Sequence, residues 1–153
     1  MIKNLFIINI IIILGIVFLF FCKKKSDYSM PEATIQSNIN ENKINIIINI
    51  PLNHHAYLDK GEEGNLIPIS FDWSDFIQKK IFTDEPILIS KPNGIYDKEV
   101  KATVLRGEGK FEFQLPEIVQ PKDLKNNLLK VKIQICNEIS GICYRPKIYE
   151  VRL

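Results

Sequence analysis

An all-β domain, built as a two-sheet antiparallel sandwich, is the fold class this sequence predicts beyond its N-terminal apolar segment. Three observations lead there. Short runs with apolar residues at every second position recur from Lys43 to the C-terminus, the spacing that puts one face of a strand in a core and the other in water. Turn-forming clusters separate the runs, at Asn93-Gly94, Gly107-Glu108-Gly109 and Pro121-Lys122-Asp123. Only one stretch, Trp73 to Lys80, has helical character, which argues against an alternating α/β chain.

The first element is not domain material. Leu5 to Phe21 is an apolar run broken only by Asn9 and Gly15, preceded by Lys3 and followed by Cys22 and then Lys23, Lys24 and Lys25. A basic start and a long apolar run are the parts of an export signal. The arrangement resembles a bacterial lipoprotein signal, whose cleavage leaves a cysteine to carry lipid. Leu19 stands at the aliphatic position three residues before Cys22, while Phe21 departs from the small residue usual just before the cysteine. The alternative is an uncleaved anchor. As a helix, about 17 residues rise roughly 25 Å, slightly short of the hydrocarbon core of a bilayer, and the lysines behind them favour the cytoplasmic side. Residues 1–22 are therefore read as signal peptide or membrane anchor. Residues 23–42, polar and aperiodic with Pro31 and several Ser and Asn, read as a linker, and 43–153 as the domain.

Within the domain the predicted strands are Lys43–Ile50, His55–Leu58, Ile67–Trp73, Pro86–Ser90, Val100–Arg106, Lys110–Leu115, Leu128–Cys136 and Cys143–Leu153. The clearest alternation is Leu129-Lys130-Val131-Lys132-Ile133-Gln134-Ile135. The helical piece could be capped by Ser74, and Pro86 with the strand signals around it limits it to a turn or two. Trp73 reads as core or sheet-edge packing. About 120 residues suffice for one core of this kind. Charged residues make up 25% of the 153-residue chain, and a formal net charge of +2 without a basic stripe excludes nucleic acid as the expected partner.

Chemistry concentrates in the cysteines. Of three, Cys22 ends the apolar run, while Cys136 and Cys143 lie seven positions apart near the C-terminus. Ser140-Gly141 between them favours a turn, placing the two at the base of a hairpin. Directly opposed residues in antiparallel strands have Cα atoms about 4.5 Å apart, near the short limit for a disulfide, and bonds held there tend to be reducible. The small ring also stabilises less than a long-range staple would. The residues alone leave two readings open: a structural hairpin disulfide in an exported protein, or an exchanging pair. Metal binding is disfavoured, because two cysteines with His54-His55 do not match zinc spacing and adjacent strand histidines point to opposite faces. There is no CxxC motif and no cofactor motif.

The stretch Ile135-Cys136-Asn137-Glu138-Ile139-Ser140-Gly141-Ile142-Cys143-Tyr144-Arg145-Pro146 resembles the end of the amino-terminal domain of the DsbD family of transmembrane disulfide reductases. That domain closes with a cysteine, a short loop, a Gly-x-Cys-Tyr-Pro-Pro-like segment and a last strand. Gly141, Cys143, Tyr144 and Pro146 match; Arg145 replaces the first proline and the loop is one residue longer. Asn53-His54-His55-Ala56-Tyr57-Leu58 resembles the family's aromatic-rich early strand, and Pro68 with the strand after it fits as well. The resemblance spans roughly Asn45 to Leu153.

What it implies is an immunoglobulin-like sandwich holding a redox-active dithiol under a protecting loop. Cys143 matches the cysteine that forms mixed disulfides with partners, and Cys136 the one that resolves them. The loop falls in Asn93 to Lys101, shorter than in the family and without a Phe at its tip; Asp97 and Glu99 are its acidic residues beside the thiols. A carboxylate there disfavours thiolate and can accept a proton during exchange. His55 and Tyr57 match two aromatic positions facing the cysteines, and Tyr144 lies in the matching segment. No cofactor or metal is implied. The family's domain takes electrons from a thioredoxin-like partner and passes them to periplasmic disulfide proteins. Full-length members add a multi-helix membrane domain and a thioredoxin-like domain, so the expected donor here is a separate thioredoxin-like protein or membrane disulfide reductase. The expected place is the cell envelope, with the domain anchored to a membrane on the periplasmic side. A non-catalytic binding lipoprotein with a structural disulfide is the alternative.

Overall fold

In the computed structural model of the chain, residues 30–118, 124 and 126–153 are described. The signal or anchor at 1–22, the lipidation candidate Cys22 and the Pro121-Lys122-Asp123 turn lie outside them. Among the described residues no helix is long and apolar enough to cross a membrane.

One layer is a four-stranded sheet of order β1-β2-β8-β5, formed by Thr34–Asn40 (β1), Lys43–Asn49 (β2), Glu108–Gln114 (β8) and Ile87–Ser90 (β5). Alternation builds it. Ile44, Ile46 and Ile48 of β2 are fully buried, and their register partners on β8 include Phe113 and Phe111. Burying each such side chain contributes roughly 1.5–3 kcal/mol.

The facing layer has two pieces. Lys147–Arg152 (β11), Leu128–Ile133 (β9) and Ser70–Asp72 (β4) form a three-stranded sheet in that order. Ile135–Asn137 (β10), His54–Tyr57 (β3), Ala102–Leu105 (β7) and Ile95–Asp97 (β6) form a four-stranded one. The chain passes from one to the other at Gln134, between β9 and β10. Leu129, Val131, Ile133 and Ile135 keep their period of two across that break and join Ile44, Ile46 and Ile48 in the main core. The result is an antiparallel β-sandwich, as expected from the alternation.

The one short helix, Ser74–Gln78 (α1), sets Phe76 into the core beside Trp73 and Phe82, with Phe76 and Phe82 stacked at 5.0 Å. Its start differs from the expected cap. Trp73, not Ser74, holds the N-cap position and makes no side-chain cap bond, and the Asp72 carboxylate accepts a hydrogen bond from the Ser74 N–H at 3.0 Å.

Three boundaries also differ from the sequence reading. The linker assigned to 23–42 contains β1, whose half-buried Ile35 and Ile39 pack on the core while Gln36 and Asn38 between them face water. Ser and Asn at the other positions hid this alternation. The expected protecting loop at Asn93 to Lys101 includes β6, paired with β7; Gly94 turns into it at φ 63°, where a Cβ would lie 2.9 Å from the Val104 carbonyl. The last strand begins at Lys147 rather than Cys143, and Cys143 makes only an isolated bridge to Cys136.

Candidate functional site

The sheet β10-β3-β7-β6 is apolar on both faces. Ala56, Leu105 and Ile135 point into the main core, while Tyr57, Ala102, Val104 and Cys136 form a second, smaller cluster on the opposite face. Period two explains the division, since His55 and Tyr57 flank Ala56 and share one side of β3. Cys136 pairs directly with His55 in the β10–β3 register, which brings it to that same side.

Cys143 reaches Cys136 because the segment between them closes on itself. The Asn137 carboxamide oxygen accepts from the N–H groups of Ile139 and Ser140, both at 2.9 Å. Its backbone completes the turn: the Asn137 N–H donates to the Ile142 carbonyl at 2.8 Å and its carbonyl accepts from Gly141 at 2.9 Å. Gly141 takes φ 68°, the left-handed conformation glycine adopts without penalty. The two cysteines are disulfide-bonded, with Cα atoms 3.9 Å apart. Their surroundings are unequal. Cys136 is 1% exposed, whereas Cys143 is exposed.

A hollow of about 370 Å³ opens over the pair, walled by the 98–101 turn on one side and the 137–142 loop on the other. His55, Tyr57, Asp97, Glu99, Val100, Arg106, Cys136, Glu138 and Cys143 are among its lining residues. The Tyr57 hydroxyl lies 3.6 Å from each sulfur. Burial raises its pKa above the usual value, and the Asp97 charge pushes the same way. Arg106 ties the two walls together: its Nε meets a Glu138 carboxylate oxygen and its terminal nitrogen lies 3.3 Å from Asp97. The backbone N–H of Glu99, more than Arg106, holds the Asp97 carboxyl below its usual pKa.

His55 is 8% exposed, its ring edge-on to Tyr57 at 5.2 Å. Neither ring nitrogen has a hydrogen-bond partner among the described residues, and the nearest carboxylate oxygen, of Glu138, is 3.6 Å away. Burial lowers its pKa below 6.5 despite the raising effect of Glu138 and Asp97, so the ring is neutral at pH 7. Among the described residues no group of three or more His, Cys, Asp or Glu converges as a metal site.

The structure thus brings together six residues singled out in the sequence, Cys136, Cys143, His55, Tyr57, Asp97 and Glu99. Tyr144 does not line the hollow. Its ring lies against His54, at 6.1 Å, and its N–H is used by the Ile135 carbonyl. Arg106 and Glu138 were missed. Glu138 lies inside the cysteine loop and could have been picked from it; Arg106 ends a strand and carries no local signal.

Against known proteins, residues 26–152 match the family described as thiol:disulfide interchange protein DsbD, N-terminal. The fold resembles the reduced N-terminal domain of Neisseria meningitidis DsbD at TM-score 0.52 and 18% identity, covering 79% of this chain and 83% of that one. A complex of the DsbD and PilB N-terminal domains from the same organism aligns at TM-score 0.47 and 17% identity, over 81% of this chain and 86% of that one. No curated protein matches. With an immunoglobulin-like sandwich fold and a family match over most of its length, this chain belongs to the DsbD N-terminal domain family.

Proposed function

We propose that the chain is a membrane-tethered, extracytoplasmic exchange module that relays electrons through Cys136 and Cys143 to other disulfide proteins. The observation that carries this reading is the unequal exposure of the two sulfurs, Cys143 open to the hollow and Cys136 buried against Tyr57 and Val104. Which sulfur is attacked is set by access, so partners form the mixed disulfide at Cys143 and leave Cys136 to resolve it.

In the reducing half-reaction a donor thiolate attacks Cys143 Sγ. A donor–Cys143 disulfide forms, the Cys136–Cys143 bond breaks and its electron pair leaves on Cys136 Sγ. The donor's second thiol then displaces Cys143, releasing an oxidised donor and the dithiol. In the second half-reaction the Cys143 thiolate attacks a substrate disulfide and Cys136 displaces the reduced substrate. The Tyr57 hydroxyl is placed to donate a hydrogen bond to whichever sulfur carries the negative charge. Asp97, held to Arg106 at 3.3 Å, is a charged neighbour that resists thiolate formation.

The donor is a thioredoxin-like protein or membrane disulfide reductase, and the acceptors are periplasmic disulfide proteins. Residues 1–22, through lipid on Cys22 or as an uncleaved anchor, hold the domain to the envelope membrane. The support for this is the apolar run and the cysteine that ends it.

The test uses the full chain carrying Cys22→Ala, solubilised in detergent. In a Cys136→Ser background the lone Cys143 is expected to react with glutathione disulfide and to form a mixed disulfide with an oxidised thioredoxin-like protein. In Cys143→Ser, Cys136 is expected to be inert to both. Equal reactivity of the two cysteines, or none from Cys143, would overturn the relay.

A further inference from the structure

Exchange fixes the side from which a partner must come. A thiolate displaces sulfur in line with the bond it breaks, so a nucleophile for Cys143 approaches from beyond it, on the side away from Cys136. β10 pairs with β3 along one edge and meets Cys143 along the other. The segment carrying Cys143 is therefore the outer edge of that sheet, and the partner arrives over this edge and the loop leading into it. Three large apolar side chains stand there in water: Leu52 is 88% exposed, Ile139 81% and Ile142 60%. Leu52 and Ile139 are one step beyond a bonded pair, since the Glu138 N–H donates to the Asn53 carbonyl at 3.0 Å, and Ile142 directly precedes Cys143. The loop is held in this form by the Asn137 side chain and backbone, so the exposure of Ile139 and Ile142 belongs to its fixed shape. Turn chemistry favours polar residues at such positions, and neighbouring exposed apolar side chains on a soluble domain mark an interaction site. Charge gives the partner little direction here, because Lys98, Lys101 and Arg106 balance Asp97, Glu99 and Glu138 around the hollow.

We infer that Leu52, Ile139 and Ile142 form a docking ledge for the exchange partner, and that the ledge favours a protein whose reactive cysteine is bordered by apolar side chains. The inference rests on the exchange reading above and names the partner chemistry of the same site. What covers the ledge follows from the reaction. Cα atoms joined through a disulfide lie about 4.4–6.8 Å apart, and consecutive Cα atoms about 3.8 Å apart. A protein bonded at Cys143 therefore lies against Ile142 in every mixed disulfide. Ile139, four residues from Cys143, would be within about 14 Å of it even in a fully extended chain. A standard footprint of about 800 Å² reaches roughly 16 Å from its centre, so it takes in both isoleucines.

Two uncharged peptides, acetylated and amidated Leu-Gln-Cys-Gln-Leu and Ser-Gln-Cys-Gln-Ser, isolate this effect. In an extended peptide the residues two places from the cysteine share its side, so the leucines meet the surface around Cys143 as the sulfurs bond. Each peptide thiolate attacks Cys143 of the full chain carrying Cys22→Ala in lipid nanodiscs, forming a peptide–Cys143 disulfide and releasing the Cys136 thiolate. The product is trapped with acid and counted by mass. Rates are taken per thiolate and divided by the rate on 2-hydroxyethyl disulfide in the same suspension, which removes intrinsic reactivity and loss of peptide into lipid. Full burial of one aliphatic side chain is worth more than about a factor of ten. The ledge covers the leucines from one side only, so the normalised leucine-to-serine ratio is expected to be roughly tenfold, and to persist in 1 M salt. Ile139→Ser with Ile142→Ser, both exposed and outside the core, should bring the ratio to within about twofold of one. Ile148→Ser, an equally exposed isoleucine on β11, should leave it in place. A ratio within about twofold for the unsubstituted loop, one unmoved by the double substitution, or one moved as far by Ile148→Ser would overturn the ledge and leave the relay standing. If neither peptide attacks the bond, the relay itself fails.

Discussion

Reducing the Cys136–Cys143 bond is expected to leave the sandwich folded while lowering its stability by about 2.5 kcal/mol. The two cysteines are seven positions apart, so the bond closes a ring of eight residues counting both ends. Chain-entropy arithmetic for so small a loop gives about 8 cal/mol/K, hence that value at 25 °C. The fold does not depend on the bond for more. Asn137, Gly141 and Ile142 keep the loop closed by backbone hydrogen bonds of 2.8 and 2.9 Å. Beyond it, β9 and β11 stay joined by six register pairs from Lys147↔Ile133 to Arg152↔Leu128. The freed Cys136 thiol remains among Tyr57, Ala102 and Val104, surroundings that suit a small apolar side chain. The assay is urea unfolding of the full chain carrying Cys22→Ala, followed by tryptophan fluorescence at Trp73, with and without a phosphine reductant. Both forms should give one cooperative transition, and the thermal midpoint should fall by about 10 °C on reduction. A loss above about 5 kcal/mol, or a reduced chain with no cooperative transition, would mark the bond as a staple. A protein that must visit its dithiol form in each cycle cannot be built that way.

Further outcomes follow from the same geometry. Tyr57→Phe removes the hydroxyl 3.6 Å from both sulfurs and should raise the thiol pKa of Cys136 in the dithiol form. The resulting drop in the resolution rate is roughly tenfold, read by stopped-flow release of a mixed disulfide. His55 has a folded pKa below its ordinary 6.5, so at mildly acidic pH the unfolded chain binds the extra proton and stability falls as pH drops below about 6.5. His55→Gln should flatten that slope between pH 7.5 and 5.5 in urea titrations; an unchanged slope would assign the acid sensitivity elsewhere. Replacing Ile35 and Ile39 together by Ser should cost about 2 kcal/mol, measured as a shift in urea midpoint, because both pack on the core from β1. In a free linker the same change would cost nothing.

How far the sequence could be read depended on whether a feature was local. The alternation of Leu129, Val131, Ile133 and Ile135 marked β9 and the approach to the first cysteine, because period two is written in consecutive residues. The hairpin placing Cys136 beside Cys143 was legible for the same reason. β1 was not, since Ser37, Asn38 and Asn40 are turn-prone residues that only pairing with β2 makes extended. β6 was hidden likewise, three residues in a segment rich in turn signals. At the site, His55 and Tyr57 were found through the family resemblance and then explained by register, with Cys136 directly opposite His55. Arg106 joins residues 9 and 32 positions away in sequence. No pattern in consecutive residues carries that information, which exists only once β6, β7 and the cysteine loop meet. Tyr144, singled out for its place in the family-like segment, turns to the other side because successive residues of an extended segment alternate.

The reduction potential of the Cys136–Cys143 pair decides most directly whether it exchanges electrons or merely closes a loop. The full chain carrying Cys22→Ala is equilibrated in glutathione or dithiothreitol redox buffers and the fraction of free thiol is read by alkylation. A relay should equilibrate with a potential of roughly −180 to −270 mV, among the exchange proteins. A value well below about −300 mV would contradict the relay and make the bond a structural one in a tethered sandwich.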